Sequence, residues 1–186
     1  MKMNGYGEVD GVPTVSEKPP RTPRYRPILT VLWVALLAFF FAKVEIQIEG
    51  PAGWAAALPT WRIEQHWLLD IFWGGRAMTG YHAWVFSFMV LMFHFPAFFF
   101  QTWSWRLEAR ALASIMQFWV TEDFLWFVLN PAFGLDRFNP QNVPWQKHWF
   151  WVAPTDYWTF STVAVVLFWY SFTVAQRQTR RAVQSS

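Results

Sequence analysis

An adjacent pair of acidic residues, Glu122-Asp123, lies inside an otherwise apolar, aromatic-rich stretch from Ala111 to Phe133. The length and composition of this stretch are those of a membrane-spanning helix. A charge at bilayer depth is costly unless it is paired, hydrated or protonated, so ionisable residues there indicate a functional site. We therefore predict that Glu122 and Asp123 act as metal ligands or as a catalytic general base.

A histidine is expected at the same end of the membrane domain as this acidic pair. Asn130-Pro131 should end the helix that carries Glu122, because proline disfavours the helical conformation of the residue before it. Glu122 then lies roughly 13 Å inside that end. His82 should lie just inside the start of the preceding membrane helix, at the same surface, so we predict that His82 joins Glu122 and Asp123.

Four polar residues outside the predicted membrane helices could complete this site. His148 and Asp156 follow the acidic pair in a long connection, and Arg62 and Arg76 belong to the connection before His82. We predict His148 as a further metal ligand. Arg62, Arg76 and Asp156 are predicted to contact substrate, since guanidinium groups bind phosphate headgroups and other anions.

Three kinds of role remain open for this set of side chains. Imidazole with two or more carboxylates is a ligand set for Zn, Fe or Mn, with one position left for water or substrate. A desolvated carboxylate beside a histidine could instead relay protons or act as a general acid or base without metal. The carboxylates could also cap buried backbone groups or pair with arginine, in a purely structural role.

A second membrane histidine, His94, lies about 18 Å along the helix from His82 and is too deep for the same site. Pro96 follows it and frees the carbonyl of Met92, which could accept a hydrogen bond from the imidazole. A lone histidine in a membrane can also ligate the metal of a haem or chlorophyll. His94 is therefore a candidate cofactor ligand as well as a candidate packing residue.

Composition identifies the chain as an integral membrane protein. Of its 186 residues, 54% are hydrophobic, 22% are aromatic and only 15% are charged, against roughly 25% charged residues in soluble domains. The absence of cysteine excludes disulfides and thiolate metal sites. No glycine-rich phosphate loop, nucleophile elbow or basic-aromatic surface is present outside the tails, which argues against nucleotide hydrolysis, serine esterase chemistry and nucleic-acid binding.

Hydropathy predicts one all-α membrane domain over residues 28–176, flanked by polar tails at 1–27 and 177–186. Its four transmembrane helices are predicted at about 28–48, 79–103, 107–129 and 157–176. Arginines cluster in both tails and in the short connection that holds Arg106 and Arg110. By the positive-inside rule, both termini face the cytoplasm and the chain is a multi-pass protein of the inner (cytoplasmic) membrane.

Both connections on the outer side are predicted to be structured. Trp61 to Trp73 should form an amphipathic helix in the membrane interface, with Arg62, His66 and Asp70 on one stripe. The aromatic-rich connection 132–156 should pack over the helices as a cap. Val44 to Glu49 alternates with period two, which is typical of a strand, but Glu45 and Glu49 would also share one face of a continuing helix.

Several strings resemble those of a recurrent group of small, functionally uncharacterised prokaryotic polytopic membrane proteins. These strings are residues 44–50 (VEIQIEG), 58–62 (LPTWR), 79–82 (TGYH) and 122–127 (EDFLWF) with Asn130-Pro131. The resemblance spans most of the chain from the first helix to the start of the fourth. It implies a multi-pass membrane protein and implies no activity.

Two functions are compatible with these features. The first is a metal-dependent, membrane-embedded enzyme that acts on a lipidic or small substrate. The alternative is a non-catalytic accessory subunit of a larger membrane complex of respiratory or photosynthetic type, whose aromatic side chains contact lipid, pigment or neighbouring subunits. In both cases the expected partners are the lipid bilayer and other membrane subunits, and not nucleic acid.

Overall fold

The computed structural model describes the backbone of residues 25–184 and the side chains of that range except for Phe72 and residues 174–184. Its elements, in chain order, are α1 (Arg26–Glu49), β1 (Arg62–Ile63), α2 (Trp67–Phe72), β2 (Met78–Thr79), α3 (Gly80–Phe99), α4 (Trp105–Leu129), a 3-10 turn (Leu135–Arg137), β3 (Trp149–Phe150), β4 (Ala153–Pro154) and α5 (Thr155–Gln184). Of the predicted N-terminal tail, residues 1–24 lie outside the described residues, as do 185 and 186 at the other end.

Three helices in the described part of the chain are long and apolar enough to cross a membrane. They are α1, α3 and α4, with mean hydropathies of 2.2, 1.5 and 1.3 over their most apolar windows. Large apolar side chains such as Trp33, Leu91 and Phe98 are exposed on these helices. In a bilayer such surfaces contact lipid, so the prediction of a helical membrane-embedded protein is confirmed.

The ends of the long helices follow from local sequence. Ser104 begins α4 by accepting a hydrogen bond from the backbone N–H of Leu107 at 3.2 Å, as an N-cap serine does. The helix ends at Leu129, immediately before Asn130-Pro131, as predicted. Helix α3 ends at Phe99, a few residues earlier than predicted, and a tight turn joins it to Ser104.

Helix α4 is the centre of the bundle, and α1, α3 and α5 pack against it. Ala38 and Ala42 of α1 are fully buried, and small side chains of this kind allow membrane helices to approach closely. Two apolar clusters fill the contacts. One holds Val34, Ala38, Met89 and Phe118; the other holds Ala42, Ile46, Trp126, Phe127 and Val143. Val143 belongs to the connection between α4 and α5, so this connection contributes a buried side chain to the core.

The predicted interfacial helix over 61–73 is wrong in its extent, because only Trp67–Phe72 is helical. Arg62–Ile63 instead pairs antiparallel with Met78–Thr79. His66 is extended and its ring Nδ1 accepts a hydrogen bond from the Leu68 N–H at 3.3 Å, so His66 caps a shorter helix. Arg62, His66 and Asp70 therefore do not form one helical stripe.

The structure selects the helical alternative for the segment from Val44 to Glu49. Helix α1 continues to Glu49 and ends at Gly50, which has a φ of 65°. Glu45 and Glu49 are one turn apart on the buried face of α1. This arrangement places two carboxyl groups inside the bundle.

Candidate metal centre

A cavity of about 300 Å³ opens between α1, α3, α4 and α5, beside the end of α1 and the start of α3. Ionisable residues from all four helices and the first connection line one part of it: Glu45, Glu49, Arg76, His82, Glu122, Asp123, Asp156 and Tyr157. The other part is apolar and lies deeper along α4, where Ile115, Met116 and Trp119 line it. The cavity therefore has a polar end and an apolar end.

The chain after α1 folds back so that its backbone contacts the last carboxylate of the helix. Glu49 Oε1 accepts a hydrogen bond from the backbone N–H of Ala55. The side-chain amide of Asn130, at the end of α4, donates to the Gly50 carbonyl at 3.0 Å. These two contacts fix the end of α1 against the end of α4 and hold Glu49 at the cavity.

His82 is oriented by groups on both sides of its ring. Thr79 begins α3, and its Oγ1 accepts from the His82 backbone N–H at 3.2 Å and lies 2.6 Å from His82 Nδ1. Trp54 stacks on the imidazole with ring centroids 3.9 Å apart. These contacts direct Nε2 toward Glu49 Oε1, 3.7 Å away. Because the threonine hydroxyl can donate to or accept from Nδ1, Nε2 can present a lone pair to a metal ion.

The ligand atoms of Glu45, Glu49 and His82 lie within 4.8 Å of one another. All three side chains are buried, with 5%, 5% and 4% exposure respectively. Two carboxylate oxygens and one imidazole nitrogen suit Zn, Fe or Mn. Ligand atoms about 3.4 Å apart are expected around a tetrahedral zinc ion with bonds near 2.1 Å. The three side chains would therefore have to move only slightly for their ligand atoms to surround an ion.

A third carboxyl group, that of Glu122, adjoins this cluster. Glu122 is only 2% exposed, and it lines the same polar end of the cavity as Glu45 and Glu49. Its Oε1 has no hydrogen-bond partner among the described residues. A buried polar atom without a partner is unfavourable, so it indicates a missing proton or cation. The three glutamates form a buried acidic cluster beside His82.

A separate hydrogen-bonded network surrounds Asp123. Its Oδ2 accepts from the Tyr157 hydroxyl and from Gln146 Nε2, the latter at 3.1 Å. Gln146 Oε1 in turn accepts from Arg76 Nε at 3.0 Å, and Arg76 forms an ion pair with Asp156. Burial lowers the pKa of the Arg76 guanidinium and the Asp123 carboxylate opposes that change, so Arg76 remains a cation near neutral pH.

The two groups of carboxylates differ in how their charge is compensated. Asp123 and Asp156 have donors in Tyr157, Gln146 and Arg76. The three glutamates have no arginine or lysine within 4.0 Å in the described part of the chain. The Arg62 guanidinium, in the first connection, donates to the carbonyls of Trp54 and Ala55 instead. The glutamate cluster therefore favours a bound cation.

Five of the predicted site residues line this one cavity: His82, Glu122, Asp123, Arg76 and Asp156. Arg62 lies outside the lining and supports the Trp54-Ala55 turn. His148 is exposed and does not line the cavity; its carbonyl accepts from the Thr155 N–H at 2.9 Å. Of the predicted metal ligands His82, Glu122, Asp123 and His148, only His82 belongs to the group of ligand atoms within 4.8 Å of one another, which Glu45 and Glu49 complete.

His94 lies apart from this cavity, as its depth suggested. Its Nδ1 is 2.7 Å from the Val90 carbonyl, and its Nε2 is 3.2 Å from Glu108 Oε1. The backbone partner is thus Val90, one turn earlier in the helix, rather than the carbonyl freed by Pro96. His94 and Glu108 form a second histidine–carboxylate pair, outside the acidic cluster.

Several residues that build the site are not identified by the sequence alone. The sequence shows Glu45 and Glu49 only as carboxylates that could share one face of a helix, and it contains no motif that indicates a role for Trp54, Gln146 or Tyr157. The spacing of the two glutamates by four residues was a usable signal. This spacing places the two glutamates on one face only if the segment is a helix. The period-two alternation of Val44 to Glu49 is also compatible with a strand, so the sequence does not decide between them.

The turn that holds Trp54 offers a test of how tightly the site is packed. A Cβ atom on Gly53 would lie 2.8 Å from Trp145 and 3.0 Å from Trp126, and Gly53 has a φ of +63°. Gly53→Ala is therefore expected to lower the free energy of unfolding by roughly 2 kcal/mol or more, measured by thermal denaturation in detergent. Gly74→Ala is the matched control, because Gly74 has a φ of +59° and a Cβ there would meet nothing closer than 3.7 Å. Equal losses in the two variants would contradict the tight packing.

The fold and the site define the class: a helical membrane-embedded protein with a buried Glu/Glu/His group that could hold a metal ion. No family model, curated protein or solved structure matches the chain. Its function therefore has to be inferred from the geometry of the cavity.

Proposed function

We propose that this protein is a metal-dependent membrane-embedded enzyme whose divalent ion is bound by Glu45, Glu49 and His82. The observation that carries the proposal is the convergence of these three buried ligand atoms within 4.8 Å of one another. The neighbouring Glu122 oxygen, which has no hydrogen-bond partner among the described residues, supports it independently. Zn, Fe and Mn are the metals that this donor set favours.

Three protein ligands would leave one coordination position open, which is the arrangement of catalytic rather than structural zinc sites. A divalent ion in such a site supplies a Lewis acid and an activated water. Glu122 lies beside the ligands and would act as the general base toward that water. Tyr157 donates its one hydroxyl proton to Asp123, so its phenolic oxygen would accept a hydrogen bond from the substrate.

The cavity indicates a substrate that is at least partly apolar. Its deeper part is lined by Ile115, Met116 and Trp119, and also by Phe86 and Phe160 of the flanking helices. These residues belong to α3, α4 and α5, which would stand in the hydrocarbon of the bilayer. A lipidic or small apolar substrate fits that end, with its polar group toward the acidic cluster and Arg76.

The proposed arrangement in the membrane has four spans, with α5 as the fourth. It is supported by the packing of α5 along α4. Arg106 and Arg110 in the first turns of α4 and the arginines in the last turns of α5 would then share the cytoplasmic side of the inner membrane with both termini. The second connection would form the outer cap, because Trp145 packs against Trp126 and Phe127.

Metal analysis tests the proposed function directly. Protein purified gently from its native membrane is expected to contain about one divalent ion per chain by elemental mass spectrometry. His82→Ala and Glu49→Gln should each lose it, because each removes a ligand. His94→Ala and Glu108→Gln are matched controls, since they change a histidine–carboxylate pair outside the acidic cluster. Metal-free wild-type protein, or full occupancy in His82→Ala, would refute the proposal.

A second candidate function is the accessory subunit of a larger membrane complex. It is favoured by the exposed aromatic side chains of α3, including Trp84, Phe98 and Phe99. In that case Glu122→Gln should weaken the assembly or the stability of the complex, and there would be no catalytic activity for it to abolish. An absorption spectrum and the composition of the complex isolated in mild detergent distinguish this role, because pigment or stoichiometric subunits would be present.

A further inference from the structure

A second cavity, of about 750 Å³, lies between α1 and α3 with α4 as its floor. On α1 it extends from Thr30 to Val44, which is about 21 Å at 1.5 Å per residue. Most of its wall is apolar, for example Phe40 and Phe41 of α1 and Met92 of α3. We name this cavity the α1–α3 groove. Its length exceeds one leaflet, about 15 Å of a hydrocarbon core about 30 Å thick, by roughly 6 Å.

One end of the α1–α3 groove carries positive charge. Arg110 lines it there, and Arg106 precedes Arg110 by one turn of α4. Arg26 begins α1 one turn before Thr30, which lines the same end of the groove. Arg110 Nε donates to Ser171 Oγ at 3.0 Å, and its two terminal amino groups have no hydrogen-bond partner in the part of the chain described. None of the three arginines has a carboxylate within 4.0 Å among the described residues.

The acidic residue at this end, Glu108, is already engaged. Its Oε1 is 3.2 Å from His94 Nε2, and its Oε2 accepts from Trp103 Nε1 at 3.2 Å. It is therefore oriented toward α3 and the connection after it, and among the described residues no other carboxylate compensates the three guanidinium groups. Basic residues gathered at one end of an intramembrane groove favour an anionic headgroup there.

We propose that the α1–α3 groove binds an anionic phospholipid. The phosphate would lie among Arg26, Arg106 and Arg110, and an acyl chain would follow the apolar wall from Thr30 toward Val44. Basic pockets between membrane helices bind lipid headgroups in this manner. The groove uses none of the proposed metal ligands, so this inference does not depend on the proposed enzyme.

Lipid retention tests the proposal in nanodiscs that contain phosphatidylglycerol and phosphatidylcholine in equal amounts. Native mass spectrometry of the released full-length protein is expected to show bound phosphatidylglycerol in preference to phosphatidylcholine. Arg106→Gln and Arg110→Gln should each reduce that retention about fivefold, the effect of one basic residue near an anionic surface. Arg137→Gln is the matched control, because the Arg137 guanidinium is exposed and donates to the Ala132 carbonyl far from the groove.

Arg26→Gln is a second variant that cannot disturb packing, since Arg26 is exposed at the start of α1. It should also reduce retention while the metal content stays at the wild-type level. Equal retention of the two lipids, or unchanged retention in all three arginine variants, would overturn the proposal. A lipid-free dimer would overturn it as well, because a second copy would then occupy the groove.

Discussion

If Glu45, Glu49 and His82 bind an ion as proposed, its removal with a membrane-permeant chelator is expected to lower the free energy of unfolding by about 4 kcal/mol. This is the stabilisation that a ligand gives at a free concentration about a thousandfold above its Kd. The physical reason is the cluster of Glu45, Glu49 and Glu122, whose buried carboxyl groups must take up protons or repel one another once no cation lies among them. Thermal denaturation in detergent, with and without chelator and with metal added back, measures the difference.

The same measurement on variants separates the metal centre from other effects of the chelator. His82→Ala lacks the nitrogen ligand, so its stability should change little on chelation. Glu108→Gln, which alters the His94 pair, should respond as the wild type does. Identical melting temperatures of wild-type protein before and after verified metal removal would contradict a stabilising ion at this site.

Arg76→Met is expected to lower the free energy of unfolding by about 3–5 kcal/mol, the cost of removing one partner from a buried ion pair. The side chains of Arg76 and Asp156 are only 11% and 20% exposed. Arg76 also donates to Gln146, which donates to Asp123. Its loss would leave both carboxylates buried without a cation. Chemical or thermal denaturation of the purified variant gives the value.

A double variant isolates the ion pair from the loss of side-chain volume. Arg76→Met with Asp156→Asn should regain part of the stability that Arg76→Met loses, because the unpaired carboxylate is removed too. Arg137→Met, at an exposed arginine, should have little effect. If the double variant is no more stable than Arg76→Met alone, the Arg76–Asp156 ion pair does not contribute the expected free energy of unfolding.

Features set by local sequence were predictable. The apolar length of the helices, the serine that begins α4 and the proline that follows it determine where the helices lie. The depth of Glu122 and the position of His82 at the start of α3 follow from those ends. These positions predict that His82, Glu122 and Asp123 lie at one end of the bundle, and in the structure all three line one cavity.

Features set by contacts between distant segments were not predictable. The helix expected over 61–73 is short because Arg62–Ile63 pairs with Met78–Thr79, sixteen positions further along. Local periodicity contains no information about that partner. The position of His148 likewise depends on how Val143 and Trp145 pack against α4, which decides the direction in which the following residues leave the bundle.

The sequence by itself determined the class of the protein, its helix ends and the depth of its intramembrane acidic pair, because each depends on composition and on neighbours within a few turns. Only the tertiary structure decided which residues form the buried Glu/Glu/His group. Glu45 and Glu49 face His82 because α1 remains helical to Gly50 and packs on α4, and because Thr79 and Trp54 orient the imidazole. The cavity is shared by four helices, so its chemistry depends on packing that no single segment encodes.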